Sequence, residues 1–142
     1  MADMAIEIDG TSYQLLGEAA GLITSLGEPA AFSEAPSCLY EGTDKTYEFD
    51  DLIVYTITKN GVDLIDVIDL ISSRYTTLRG ITVGSSRQSI LEVYGEPDDS
   101  EYDLIYWADS ALGDSSPSLT IMLDQDKASV ISLYSGSNNQ AP

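Results

Sequence analysis

The side chains able to do chemistry are almost all carboxylates. The 142-residue chain holds 24 Asp and Glu residues against 6 Lys and Arg, so its formal net charge at pH 7 is −18. It has no His and a single Cys, Cys38. The lack of His excludes Ser-His-Asp and Cys-His catalysis and every imidazole metal site. Cys38 cannot form an internal disulfide or a thiolate zinc site, and we expect a small buried side chain in a strand over 37–40.

Two acidic clusters, at 98–103 and 124–126, offer the hard oxygen ligands that Ca²⁺ prefers. Neither cluster has the alternate spacing, central Gly and distal Glu of a calcium loop, so we interpret them as a solvated loop and a polar turn. No spacing or flanking motif singles out a pair of carboxylates for acid–base catalysis. The sequence therefore predicts no catalytic residue, no cofactor and no metal site.

The segment 80–86, Gly-Ile-Thr-Val-Gly-Ser-Ser, has the composition of an anion-binding loop at a helix N-terminus. It lacks the Gly-Lys-Ser/Thr ending of a phosphate loop, and only Arg87 supplies positive charge nearby. We interpret it instead as a capping segment. Ser85 or Ser86 would accept hydrogen bonds from free N–H groups of the helix, and Ser85 with Gln88 has the spacing of a capping box.

An internal repeat organises the chain. Identical Gly-Glu-Pro tripeptides occur at 27–29 and 95–97, and each follows a stretch with apolar residues at helical spacing, over 15–26 and 83–94. In each copy we expect the Gly to adopt a left-handed helix cap, while the Pro prevents continuation of the helix. The two copies therefore each predict a short helix.

Strand-like segments follow each predicted helix. They lie at 37–40, 47–58 and 63–72 in the first copy, and at 102–107, 118–123 and 129–134 in the second. Asn60-Gly61 and the segment 124–127 have the composition of hairpin turns. The segment 63–72 also fits a helix, because Leu64, Ile68 and Ile71 recur at helical spacing. Its short, β-branched counterpart near the C-terminus favours a strand.

This pattern predicts the α+β class: a tandem repeat of a helix plus antiparallel strands, with the helices packed on one face of a continuous antiparallel sheet. We divide the chain into an N-terminal extension at 1–11, repeat 1 at 12–78, repeat 2 at 79–135 and a flexible tail at 136–142. The two repeats would form one compact domain.

The segment from Gly80 to Pro97 resembles the β-lactamase-inhibitor-protein-like superfamily, which is shared with small outer-membrane assembly lipoproteins of the BamE type. The shared features are Val-Gly at 83–84, a capped short helix, a Tyr-Gly-x-Pro close at 94–97 and a strand meander. The chain looks most like surface lipoproteins of Gram-positive gut bacteria, which carry Val-Gly-Ser-Ser and Tyr-Gly-x-Pro in this order.

The resemblance covers about 78–134 well, whereas the first half keeps only Leu-Gly-Glu-Pro at 26–29. It implies that superfamily's fold and a habit of binding proteins, and it brings no catalytic residue. Inhibition of a β-lactamase is not implied, because the inhibitors have loop disulfides that a chain with one Cys cannot form.

Aromatic side chains supply the candidate binding residues. The chain has 9 Tyr, 2 Phe and 1 Trp. A sheet covered on one side leaves its other side free, and aromatic rings there make a binding platform. We select Tyr55, Tyr106 and Trp107 as candidates. Strand alternation puts Tyr106 and Trp107 on opposite faces, and either face could be the open one. The competing interpretation is that these rings are core residues or cross-strand pairs.

We therefore predict a non-catalytic, exported or cell-surface module that binds a protein or peptide through the exposed sheet face. The negative charge excludes nucleic acid as a partner, and membrane contact would occur only through a lipid anchor upstream of this chain. The Lys-poor, Tyr- and Ser-rich composition favours export over a cytoplasmic location. The alternatives are a small-molecule or glycan-handling domain, a hydrolase among them, with a carboxylate pair between the repeats, and a structural spacer in an envelope assembly.

Overall fold

The computed structural model describes residues 4–36, 42–100, 102–109 and 116–136. Its strands are β1 (Ala5–Ile8), β2 (Thr11–Gln14), β3 (Ala31–Pro36), β4 (Thr43–Glu48), β5 (Leu52–Lys59), β6 (Val62–Leu70), β7 (Leu104–Trp107), β8 (Ser118–Asp124) and β9 (Lys127–Tyr134). Its helices are α1 (Ala20–Leu26) and α2 (Arg87–Tyr94). Strands β1 and β2 form a two-stranded sheet, and the others form a seven-stranded sheet in the order β3-β4-β5-β6-β9-β8-β7. Every pairing is antiparallel.

The predicted α+β class is wrong. Of the described residues, 49% lie in strands and 12% in helices, so the protein is mostly antiparallel β with two sheets rather than a repeat of helices packed on one sheet. The first helix is shorter than the apolar stripe over 15–26 predicts, because Leu16 has a φ of 64° and interrupts any helix there. The boundaries proposed for the two repeats stay a prediction.

The second sheet is a hairpin that includes most of the predicted N-terminal extension. Asp9 and Gly10 have φ values of 51° and 83°, as the tight turn between β1 and β2 requires. Ile6 and Ile8 are buried in the core of the protein. Asp-Gly between alternating apolar residues is a strong hairpin signal, and it explains why this segment is folded.

Several local predictions are confirmed. The Asn60-Gly61 turn joins β5 to β6, and Gln125 with Asp126 forms the turn between β8 and β9. The predicted segment 63–72 is a strand and not a helix as far as residue 70, where β6 ends. The single strand predicted over 47–58 is wrong, because a turn in which the Phe49 N–H donates to the Leu52 carbonyl at 2.9 Å separates β4 from β5. The segment 37–40, with Cys38, lies outside the described residues.

The core lies on one face of the seven-stranded sheet, the core face. Residues of β5, β6, β7, β8 and β9 that share this face are almost completely buried, and the hairpin and both helices add to them. The core members from the sheet are Leu52, Val54, Ile65, Ile68, Leu70, Leu104, Tyr106, Leu119, Ile121, Ala128, Ile131 and Leu133. Because side chains alternate along a strand, the residues between them point to the opposite face.

The ends of the helices follow the predicted capping residues with two differences. Ser86 caps α2, and its hydroxyl accepts the Ser89 N–H at 3.1 Å. Ser85 instead accepts the Thr82 N–H at 3.0 Å, so the predicted capping box does not form. Gly27 and Gly95 have positive φ, as expected, but ψ values of −147° and −159°, which are not those of a left-handed helical residue. This backbone region is essentially restricted to Gly.

We expect Gly95→Ala to lower the free energy of unfolding by about 1–3 kcal/mol, because any side chain is strained at this φ and ψ. A Cβ at Gly95 would meet no atom within 4 Å, so the loss would come from the backbone alone. Gly21→Ala is the matched control. Gly21 lies within α1 without positive φ, and we expect Ala there to raise the free energy of unfolding by up to about 1 kcal/mol. Equal effects of both substitutions in urea denaturation would contradict this account of the cap.

Candidate functional site

We call the face of the seven-stranded sheet opposite the core face the outer face. It carries two rows of side chains. Cross-strand pairs define each row from β4 to β7. The first row is Thr46, Tyr55, Val67, Tyr134, Ser118 and Trp107. The second row is Glu48, Ile53, Asp69, Ser132, Thr120 and Ile105.

The outer face is more apolar than a solvated sheet surface needs to be. Tyr55 and Trp107 stand near the two ends of the first row, and Val67 and Tyr134 stand between them. Most side chains of the two rows are half-buried, because their cross-strand neighbours cover their flanks. The rings therefore sit in fixed surroundings and still present surface to a partner. Threonine and serine hydroxyls between them supply hydrogen-bonding groups.

The structure separates the predicted binding residues. Tyr55 and Trp107 lie on the outer face, whereas Tyr106 lies on the core face with 3% of its surface exposed. Its hydroxyl donates to the Gly95 carbonyl at 2.9 Å, and its ring centroid is 5.3 Å from that of Tyr94. Burial of the hydroxyl, reinforced by nearby negative charge, raises the pKa of Tyr106 to about 12. Tyr106 is thus a core residue that fixes the end of α2.

Sequence reasoning missed Tyr134 and Asp69. Both lie in segments that were predicted to be strands, and both alternate with buried residues, as in Ile68-Asp69-Leu70. A carboxylate between two apolar residues of a predicted strand could have indicated Asp69 from the sequence. The proximity of Asp69 to Tyr134 could not have been predicted in this way, because it depends on the register between β6 and β9.

Asp69 lies at the centre of the outer face, on the middle strand of the sheet. Its direct cross-strand neighbours are Ile53 and Ser132, and Tyr55 and Tyr134 occupy the diagonal positions on either side. Burial raises the pKa of the Asp69 carboxyl, and hydrogen bonds with the Ser132 and Tyr55 side chains only partly oppose this effect. The Oδ1 atom is buried and has no hydrogen-bond partner. A buried acceptor without a donor is costly, and such groups concentrate at functional sites.

A cleft between α1 and strands β4 to β6 is a further polar site, lined in part by Glu18, Lys45, Thr58 and Asp63, and a separate pocket is lined in part by Glu28, Asp50, Asp51 and Arg74. The Lys45 ammonium lies 2.7 Å from Asp63 Oδ2, and the Thr58 hydroxyl donates to Asp63 Oδ1 at 2.7 Å. Burial opposes ionisation of Asp63, but hydrogen bonds from Lys45 and Thr58 outweigh it and lower the pKa of this carboxyl. Asp63 is therefore held as a charged, fully bonded carboxylate, which does not suit a general acid.

Acidic clusters do not converge on a metal-binding geometry in the described part of the chain, where no group of three or more Asp, Glu or Cys side chains is placed to hold an ion. Within the same residues, neither helix is long and apolar enough to cross a membrane.

Comparisons with protein-family models, with curated proteins and with solved structures found no match.

We expect Asp69→Asn to raise the free energy of unfolding at pH 7. The raised pKa of Asp69 means that the folded state binds its proton more tightly than the unfolded state, so stability is lost as pH rises above the unfolded value of about 3.9. Asn resembles the neutral carboxyl, so the difference between variant and wild type should disappear near pH 3. Tyr55, Glu48 and Tyr134 are the titratable groups that share this face, and they remain unchanged in the variant.

Asp63→Asn is the matched comparison with the opposite sign. The lowered pKa of Asp63 gives stability that is present above its unfolded pKa and lost as pH falls, so this variant should be less stable than wild type at pH 7. Urea denaturation of both variants between pH 3 and pH 8 tests the pair. A loss of stability in Asp69→Asn at pH 7 would contradict the assignment of Asp69 as a carboxyl whose burial is only partly compensated by hydrogen bonds.

Proposed function

We propose that the protein is a non-catalytic module that binds a protein or peptide partner through the outer face. The observation that supports this proposal is the placement of Tyr55, Tyr134 and Trp107 in one row beside aliphatic side chains, on the face that the core does not use. Aromatic residues with surrounding aliphatic contacts are the side chains that dominate binding energy at protein interfaces.

The dimensions of the outer face favour a polypeptide over a small ligand. The two rows cross six neighbouring strands, from β4 to β7, which at a strand spacing of about 4.8 Å corresponds to roughly 24 Å. A small molecule is bound in a concave pocket that encloses most of its surface. An open, amphipathic face of this width suits a segment of protein chain.

The enzyme alternative requires a pocket with two converging acids, one of them with a raised pKa. The carboxyl at Asp69 with its raised pKa lies on the outer face, whereas Asp63 in the cleft has a lowered pKa. In the pocket lined by Glu28, Asp50 and Asp51, the Asp51 carboxylate accepts a hydrogen bond from Ser72 at 2.8 Å and pairs with Arg74 at 3.7 Å. A purely structural spacer would need only a polar face, and the outer face has Trp107, Ile105 and Ile53 on it. Both observations favour a binding module.

An exported or cell-surface location, with a lipid anchor upstream of this chain, is part of the proposal and is supported by the composition alone. Kinship with the β-lactamase-inhibitor-protein-like superfamily likewise stays a prediction. The binding proposal does not depend on either.

We expect Trp107→Ala to weaken binding of the partner by at least about tenfold, because truncation of a large aromatic contact removes a large share of interface energy. The partner would be captured from an envelope extract, identified, purified and titrated against the immobilised protein. Phe32→Ala is the control: Phe32 is 49% exposed, but it packs on Tyr47, whose pairing with Val54 places it on the core face. We expect that variant to change affinity less than about twofold. A partner that is insensitive to Trp107→Ala and Tyr55→Ala would contradict the proposal.

The net charge of −18 predicts a salt-dependent association. Long-range attraction of a basic partner is screened as the Debye length falls from about 14 Å at 0.05 M salt to about 4 Å at 0.5 M. We expect the association rate to fall by about tenfold or more across this range, with a smaller change in the dissociation rate. Stopped-flow measurements with the identified partner test this, and rates that are indifferent to salt would show that charge does not steer the encounter.

A further inference from the structure

The residues at the centre of the outer face indicate which chemical group of a partner would bind there. This inference rests on the proposed binding function. Asp69 lies on the middle strand, and its side chain is half-buried. Its neighbours on the outer face are Ile53, Ser132, Tyr55 and Tyr134. The buried Oδ1 atom accepts no hydrogen bond from the protein itself. The half-buried side chain still presents part of its surface to a partner, and its hydrogen bonds within the chain only partly offset its burial, so a cation from outside the chain would stabilise the charged carboxylate.

Within the described residues, no basic side chain stands in the two rows beside this carboxylate. The 6 basic residues of the chain all lie outside the two rows of the outer face. Three of them are committed elsewhere, since Lys45, Arg74 and Arg87 form ion pairs with aspartates of other segments. Glu48 is the other charged residue of the rows, and it is negative. The charge missing from the outer face is therefore positive and must come from the partner.

We propose that the outer face receives an extended basic segment of a partner protein, in which one arginine side chain reaches Asp69 between Tyr55 and Tyr134. The two tyrosines stand at the diagonal positions beside Asp69, within reach of a side chain seated on it. Val67 and Ile53 contact the aliphatic part of the same segment.

Arginine fits this position better than lysine does. Its planar guanidinium stacks on aromatic rings, is more weakly hydrated than an ammonium and donates two parallel hydrogen bonds to a carboxylate. The flanking aliphatic residues and the width of the face favour an arginine within a chain over a free guanidinium compound. Because Asp69 is flanked by tyrosines, the ion pair would be shielded from solvent and would discriminate strongly against an uncharged side chain.

A random dodecapeptide library displayed on phage tests the inference and the proposed function separately. Selections would use the wild-type protein, Trp107→Ala and Asp69→Asn, each confirmed as folded by its NMR spectrum. We expect the wild-type protein to recover peptides that Trp107→Ala does not, and we expect arginine to be enriched among them. We expect that enrichment to be lost with Asp69→Asn. Selected peptides without arginine enrichment would overturn the inference and leave the proposed function standing, whereas no peptide dependent on Trp107 would overturn both.

Affinities of one selected peptide then isolate the contact. Replacement of its arginine by citrulline, which keeps the shape and removes the charge, should weaken binding to the wild-type protein by about tenfold and to Asp69→Asn by less than about twofold. Replacement by lysine should give an intermediate loss. Glu48→Gln is the matched control, because it removes a carboxylate from the same row but at the exposed rim, and it should retain the full effect of citrulline. Equal effects of citrulline on the wild-type protein and on Asp69→Asn would rule out the contact between arginine and Asp69. If N-acetyl-arginine amide bound as tightly as the peptide, the site would bind a small guanidinium ligand and the proposed peptide segment would be wrong.

Discussion

The register of the central strand β6 between β5 and β9 is the constraint on which the rest of the structure depends. It aligns Ile68 and Leu70 with Val54, Leu52 and their β9 partners, so that one face of the sheet is continuously apolar. The same register aligns Asp69 with Ile53 and Ser132 on the other face. A slip by one residue would expose the core and bury the polar side chains, so burial of the core face fixes the outer face as well.

This coupling fixes the backbone of the outer face from the core side, in addition to the cross-strand contacts between the outer-face side chains themselves. The side chains of Tyr55, Val67 and Tyr134 are held by backbones whose opposite sides are packed in the core. A binding surface that is fixed before contact loses less conformational entropy on association than a surface built on loops does. Asp69 destabilises the folded state locally, because hydrogen bonds within the chain only partly offset the burial of its carboxylate. Functional sites commonly carry such a local cost, which the remaining structure offsets.

Local signals in the sequence were sufficient for much of the secondary structure. The alternation in β8 and β9, the Asn60-Gly61 turn and the serine cap of α2 depend on residues close in sequence, and each was predictable. The sequence predicts the wrong fold class, because the apolar stripe over 15–26 extends beyond the residues that form α1, and because the N-terminal segment forms the Asp9-Gly10 hairpin instead of an extension. A weak periodic pattern cannot show that Leu16 has a positive φ.

The binding face was predictable only in part, for a different reason. Alternation correctly separates Tyr106 from Trp107, but the choice between their faces depends on which side of β7 meets the core. The proximity of Asp69, Tyr55 and Tyr134 arises from strand pairings between distant parts of the chain. A single sequence does not specify such pairings through any local rule.

The most direct measurement of the central claim is cross-saturation NMR on the complex of the methyl-labelled protein with its unlabelled partner. This account predicts that saturation transferred from the partner is strongest at the methyl groups of Val67, Ile53 and Ile105 and weak at those of Leu26 and Leu123. Strongest transfer at residues around α1, with the outer-face methyls unaffected, would contradict it.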